Sequence, residues 1–534
     1  MPDWNPFWTE EIQIENGGRY PLLLNRFHDH LEAYLIKGIV SVTDRLRYIS
    51  YCCWAIGDIE NSMHCKKYYE FEEAFRRREG ALAIGTYLLK PETVMGNYTT
   101  YGRDVMRGVV EDVTTIYRTS FKVLPSNDLG AFGQYYKGTM QNWGLTSIDE
   151  DGIIRLTELG TELYKIMSDS YGNNSYHANY KGQNKVPGQV LYDWAMLNQY
   201  DHITDKDNKA ERDFYKSILF HLDTEEVLDG RRDSLTIYLE CLGELEKNKC
   251  RFDEDKLRNI LYYQKYIDDD GNLHDYPVSS FLQSTRFIWM IYEMHDYFGW
   301  WVSEYFRAFL RLLSGSANGL SIKEIIASID KFTFNKTITI FLKENKNYYD
   351  LEFGDFINKV IEVYDDAWLF EDNICYDSWD GKISNFSEVS AGLLMIISLL
   401  SQKIDSIQND SRYMSIRIKF SEDFWFKDIF DILKIIRGKS IEEVLEIILS
   451  QFVIRQHNNA MFEKKDLRRC WFTQCGDKYL YHSDANGIWR PAKHNIICNF
   501  FYDMGLLQVK EGTFVLSQEG KDLYKKLNDD YYEK

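Results

Sequence analysis

Apolar residues recur at helical spacing along most of this chain, in blocks separated by short polar turns. Leu46, Ile49, Cys53, Ile56 and Ile59 stand three or four apart, the period that gathers side chains on one face of an α-helix. The same reading predicts helices over 22–34, 44–65, 103–118, 127–143, 192–198, 209–222, 234–247, 256–267 and 279–313. Further helices are expected over 321–330, 356–368, 387–403, 441–454, 463–471 and 491–504. Ser41 or Thr43 is the expected N-cap of the 44–65 helix, Asn127 or Asp128 that of the 127–143 helix, and Ser440 that of the 441–454 helix. Only 8 Pro residues occur in 534, which favours long helices. No strand–helix alternation of a parallel sheet emerges, and no solenoid repeat.

Period-two patterning is confined to short runs, and two of these belong to one motif that occurs twice. Gly144-Leu145 is followed by a polar tip and then Ile153-Ile154-Arg155-Leu156-Thr157-Glu158-Leu159-Gly160, ending in Leu163-Tyr164-Lys165. Gly505-Leu506-Leu507 is followed by a tip and then Phe514-Val515-Leu516-Ser517-Gln518-Glu519-Gly520, ending in Leu523-Tyr524-Lys525. Each predicts a strand, a hairpin tip, a second strand and a helix capped by Thr157 or Ser517. Asp149 to Gly152 and Lys510 to Thr513 are the expected tips. This is the wing of a winged helix-turn-helix. The fold class read from the chain is therefore mainly α, a multi-domain helical protein with two winged helix-turn-helix modules.

Turn-rich stretches divide the chain into an N-terminal helical unit (1–99), a first winged helix (100–171), a central helical domain (189–437) and a C-terminal winged helix (438–534). Residues 172–188, rich in Gly and Asn, form the expected boundary.

Net charge is −19, which excludes wrapping nucleic acid with most of the surface. Residues 455–526 nevertheless hold twelve Lys/Arg against eight Asp/Glu, net +4, whereas 103–168 hold seven against nine, net −2. A helix before a wing enters the major groove N-terminus first, so Arg490, Lys493, His494 and Asn495 are the candidate DNA-binding residues. A fragment from about Gly438 onward is accordingly expected to bind duplex DNA weakly. The first module, with Gln134, Lys137 and Gln141 and an acidic tip, fits protein packing instead.

No catalytic or nucleotide-binding signature is found, and neither a metal nor another cofactor is expected. Cys470, Cys475, His482, His494 and Cys498 are spaced too loosely for a structural zinc. His28 and His30 lie two apart on a helix and point away from each other, which reads as a surface helix. Asp268 to Asn272 lacks the glutamate that closes a calcium loop and reads as a solvated turn. The odd cysteine count of 9 indicates reduced, buried thiols in a cytoplasmic protein. The run from Ala391 to Leu400 is too short to span a bilayer, and no membrane contact is expected.

Residues 37–54, Lys37-Gly38-Ile39-Val40-Ser41-Val42-Thr43-Asp44-Arg45-Leu46-Arg47-Tyr48-Ile49-Ser50-Tyr51-Cys52-Cys53-Trp54, resemble a motif that opens a set of uncharacterised prokaryotic proteins found in genome-defence loci. Thr43, Arg45, Arg47, Tyr48, Ser50 and Trp54 carry the likeness, with Lys37 in place of a proline and Leu46 in place of an alanine. The resemblance spans about 20 residues and implies a prokaryotic origin and a role against phage or plasmids. Arg45, Arg47, Tyr48 and Trp54 are candidate structural residues, and one of the two arginines is expected to meet a carboxylate within the N-terminal unit. The reading is a non-catalytic subunit of such a defence system, partnered by other protein subunits and by duplex DNA through the C-terminal module. The alternatives are a kleisin-like scaffold of a chromosome-type ATPase and a nuclease with a dispersed carboxylate site.

Overall fold

The computed structural model describes residues 20–532 except 44, 64, 90–102, 200–202, 223–229, 365–370, 372–374, 376–377, 379–380, 420–424, 426–428, 465–469, 487–492 and 511. The fold is mainly helical, with small antiparallel sheets. The elements used below are α1 (Asn25–Leu35), α2 (Leu46–Ser62), α3 (Tyr68–Leu88), β1 (Ile116–Arg118), α4 (Lys137–Asn142), β2 (Thr146–Ile148), β3 (Ile154–Leu156) and α5 (Glu158–Tyr171). They continue with β4 (Lys185–Pro187), α6 (Gly188–Leu197), α7 (Lys209–Phe220), α8 (Arg231–Lys247), α9 (Glu254–Tyr263), β5 (Lys265–Ile267), β6 (Leu273–Asp275) and α10 (Gln283–Ser314). The last are β7 (Leu320–Ser321), α11 (Phe386–Asn409), β8 (Phe472–Cys475), β9 (Lys478–Tyr481), α12 (His494–Asp503), β10 (Leu507–Lys510), β11 (Thr513–Leu516) and α13 (Gln518–Tyr532).

The central helix α10 runs for 32 residues and is buried along most of its length. It packs against α1, α9 and α11. Burial on most sides accounts for the aromatic and aliphatic residues around its circumference, since a helix exposed to water would keep a polar face; Glu293, His295, Asp296 and Glu304 are buried with them. Helix α11 is long and apolar enough to cross a membrane by length and composition, but 88% of its most apolar window is buried inside the fold.

Several predicted elements differ from those observed. Residues 103–118 form a four-residue helix, Arg103–Met106, and then strand β1, not one helix. The run Val113-Thr114-Thr115-Ile116 is β-branched throughout, which lowers helix propensity. β1 pairs with β4, so residues 172–188 contribute a strand to an earlier part of the chain. The helix expected to end at Ile267 stops at Tyr263, where Gln264 turns left-handed at φ +55° and opens the β5–β6 hairpin. Of the helix expected over 463–471, residues 465–469 lie outside the described residues; a helix runs over Arg455–Lys464, and Phe472 belongs to β8. Neither Ser41 nor Thr43 caps α2. Its Leu46 amide donates to the Asp503 carboxylate at 2.9 Å. Ser440 caps its helix as expected, in a reciprocal capping box with Glu443.

Candidate interaction site

Both copies of the repeated motif fold as strand, tip, strand and helix, and they match bond for bond. Gly144 and Gly505 turn left-handed at φ +72° and +75°. Beyond them, Leu145 N–H donates to Met140 O and Leu506 N–H to Phe501 O, each at 2.8 Å. Thr157 Oγ1 accepts from Gly160 N–H at 3.1 Å, and Ser517 Oγ from Gly520 N–H at 3.0 Å. These hydroxyls donate back to Gly144 O and Gly505 O at 2.5 and 2.6 Å. A Cβ on Gly160 would lie 2.1 Å from Leu145 O, and one on Gly520 would lie 2.3 Å from Leu506 O. The glycines are there because helix and strand backbones touch.

The likeness extends to the helix beneath each hairpin. Leu156 N–H donates to Glu60 on α2 at 3.0 Å, and Leu516 N–H donates to Glu246 on α8 at 3.2 Å. Gly57 and Gly243, three residues earlier, receive Leu156 and Leu516 respectively. The underlying sequences are Ile56-Gly57-Asp58-Ile59-Glu60 and Leu242-Gly243-Glu244-Leu245-Glu246, each twelve residues past an arginine, Arg45 or Arg231. The repeat expected from the sequence comprised each hairpin and the capped helix after it, without the helix beneath. The Ile/Leu-Gly-Asp/Glu-Ile/Leu-Glu signal was available but too short to stand out without the contact that joins it to the hairpin.

The motif residues of α2 are interior. Arg45 Nη2 meets Asp503 Oδ1 at 2.8 Å, at the end of α12. Arg47 pairs with Glu211 on α7 and donates to Leu197 O at 2.7 Å. Burial depresses the Arg47 guanidinium's pKa, but Glu211 together with Tyr171 and Tyr215 more than offsets this, so that it is raised overall. Both carboxylates lie outside the N-terminal unit in which a partner was expected. The arginines tie α2 to distant parts of the chain. Tyr48 donates to Glu79 at 2.6 Å. Glu79 also accepts from Ala131 N–H and Phe132 N–H at 2.8 and 3.2 Å, at the start of the helical turn leading into α4. Burial nonetheless pushes Glu79 up to about 7. Trp54 donates to His177 at 3.2 Å and packs against Trp194 and Tyr171.

Of the candidate DNA-binding residues, Arg490 lies outside the described residues. Lys493 is 3.2 Å from Glu32 on α1, its side chain 10% exposed. His494 is buried and 3.2 Å from Glu254 on α9. Asn495 is exposed. In the first module Gln134 is exposed, while Lys137 and Gln141 are half-buried. An open groove of about 590 Å³ lies between α5 and α7, floored by Trp143, Leu159, Ile166, Phe214 and Ile218.

The loosely spaced Cys and His residues are not brought together. Cys475 is exposed, Cys470 and Cys498 are buried, and His482 meets Thr473. Among the described residues no group of three or more His, Cys, Asp or Glu is placed to hold a metal ion. His28 is not on a surface face. It is buried and 2.6 Å from Asp296, because α1 packs on α10 with Phe27 stacked on His295. Asp268 closes the β5–β6 turn, accepting from Asp270 N–H and Asn272 N–H.

No family model, curated protein or solved structure matches this chain.

Proposed function

We propose that the two hairpin-and-helix units are winged helices that serve protein docking. In this reading the chain is a non-catalytic subunit of a prokaryotic system acting against phage or plasmids in the cytoplasm. The observation that carries docking over base reading is the pairing of Lys493 with Glu32 and of His494 with Glu254. A cation held by a carboxylate is neutralised before any phosphate arrives, and a buried imidazole offers no donor to a base edge. The net charge of −19 adds long-range repulsion of a polyanion. The defence role rests on the Arg45 to Trp54 resemblance alone.

The test has two arms. Full-length protein is titrated with duplex DNA at low salt, with no retardation expected. Salt-sensitive binding abolished by Lys493→Ala would restore DNA reading. In the second arm the gene is deleted from its own locus and phage plating is scored. Unchanged plating across a phage panel would remove the defence assignment.

A further inference from the structure

The groove between α5 and α7 has walls of like character. On α5 it is lined by Leu159, Glu162 and Ile166, and on α7 by Asp213, Phe214 and Ile218, with Trp143 in its floor. Glu162 and Asp213 are exposed, one on each wall. Asp213 meets Lys216 at 3.1 Å. Glu162 meets no cation among the described residues.

A surface of the opposite sign lies elsewhere on the same chain. The helix Lys331–Leu342 buries Phe334, Thr337, Ile338 and Leu342, and it packs on α11. Its outer face carries Phe332, 75% exposed, then Lys336, then Ile340, 63% exposed. Residues four apart are neighbours on a helix surface, so the three form one stripe. Among the described residues no other helix exposes two large apolar side chains to this degree on one face. Lys336 meets no carboxylate among the described residues, and Lys343, seven positions on, is exposed as well.

We propose that this helix docks in the α5–α7 groove of a second copy of the chain, reciprocally, in a two-fold dimer. The two surfaces are complementary in pattern. Phe332-Lys336-Ile340 reads apolar, cation, apolar, and Leu159-Glu162-Ile166 reads apolar, anion, apolar. They also match in length, about 12 Å against about 11 Å at 1.5 Å per residue. Docking takes two exposed apolar side chains out of water and gives Glu162 and Lys336 the counter-charges they lack within one copy. An amphipathic helix laid in an apolar groove is a recurring mode of recognition. Two-fold symmetry makes the contact twice and closes the assembly. Each copy carries a net charge of −19, which repels another copy at long range; the local pairing of opposite charges therefore selects this basic stripe over the acidic remainder of the surface. Nothing in the assignment depends on the winged-helix or defence reading.

The test is sedimentation equilibrium of the full-length chain at about 0.15 M ionic strength, where a screening length of about 8 Å suppresses long-range repulsion more than a contact pair. The average mass is expected to rise with concentration toward twice that of one chain. Glu162→Lys and Lys336→Glu each place like charges together and should weaken association by about tenfold or more. Carrying both reversals in one chain restores opposite charges and should recover most of the loss. Phe332→Ser should weaken association without altering charge. All four substituted chains alter exposed positions and are expected to unfold at the wild-type temperature, which separates lost docking from misfolding. A monomer at every concentration would overturn the proposal. So would an assembly that grows past two copies, full-strength association of Phe332→Ser, or a double reversal no better than either single one.

Discussion

Replacing Arg47 with alanine leaves Glu211 charged, 1% exposed and without its counter-ion, and Arg45→Ala does the same to Asp503, which is fully buried. Each substitution is expected to destabilise by about 3–5 kcal/mol, the cost of breaking a buried pair from one side. Arg77→Ala, which removes an exposed pair with Glu73, should change stability by no more than about 1 kcal/mol. Denaturant unfolding of the three variants checks the contrast, and equal losses would contradict it. Glu79 makes a second expectation. Its carboxyl ordinarily titrates at 4.5 and is held at about 7 by burial. The folded chain therefore keeps a proton that the unfolded chain releases. That contribution is fully present below pH 4.5 and is lost as pH rises to about 7, amounting to roughly 3 kcal/mol. Glu79→Gln should abolish this part of the pH dependence, so the wild-type minus variant difference falls across that window. A pH-independent difference would refute the assignment. The importance of Arg45 and Arg47 was legible from their company with Tyr48 and Trp54. Their partners were not, because a carboxylate more than 450 residues away, as Asp503 is from Arg45, leaves no local pattern.

At the scale of elements, the glycines carry the argument. Gly160 and Gly520 lie in the first turns of α5 and α13 against backbone carbonyls that cannot move aside. Gly→Ala inside a helix ordinarily stabilises by up to about 1 kcal/mol. At these two positions the sign reverses, with an expected loss of about 1–3 kcal/mol from forced backbone displacement. Gly138 in α4, with open space around it, is the internal control and should follow the ordinary rule. Thermal unfolding of the three alanine variants decides this, and stabilisation by Gly160→Ala would show that the close packing is absent. The hairpins and their capped helices could be read in the sequence because a hydroxyl, a glycine and a turn stand at fixed spacing. β1 and β4 could not, since three-residue strands carry too little period-two pattern and gain stability only from each other. The underlying helices α2 and α8 were read as separate helices. What relates them is the Gly-to-leucine and Glu-to-amide contacts made from beneath each hairpin, which exist only in three dimensions.

Across the whole molecule, the C-terminal module is held by residues that precede it by hundreds of positions. Leu516 N–H and Lys521 both bond Glu246, Tyr524 donates to Glu240, Asp503 holds Arg45, Lys493 meets Glu32, and β9 pairs with β7. A fragment beginning at Gly438 leaves all of these partners behind. It also exposes the face of α12 that packs inside the full chain, including Phe500 and Phe501. We therefore expect this fragment to lack cooperative unfolding and to self-associate through that face. Supplying residues 1–437 in trans should restore a folded complex, because Asp503 then regains its guanidinium and the strand β9 its neighbour. Amide exchange on the isolated fragment and on the mixture measures both states. Protection of the β10–β11 amides in the isolated fragment equal to that in the full chain would show the module to be autonomous. Weak DNA retardation by the fragment alone would then have to be weighed against the Lys493–Glu32 pair, which the truncation removes and which in the intact protein neutralises that lysine.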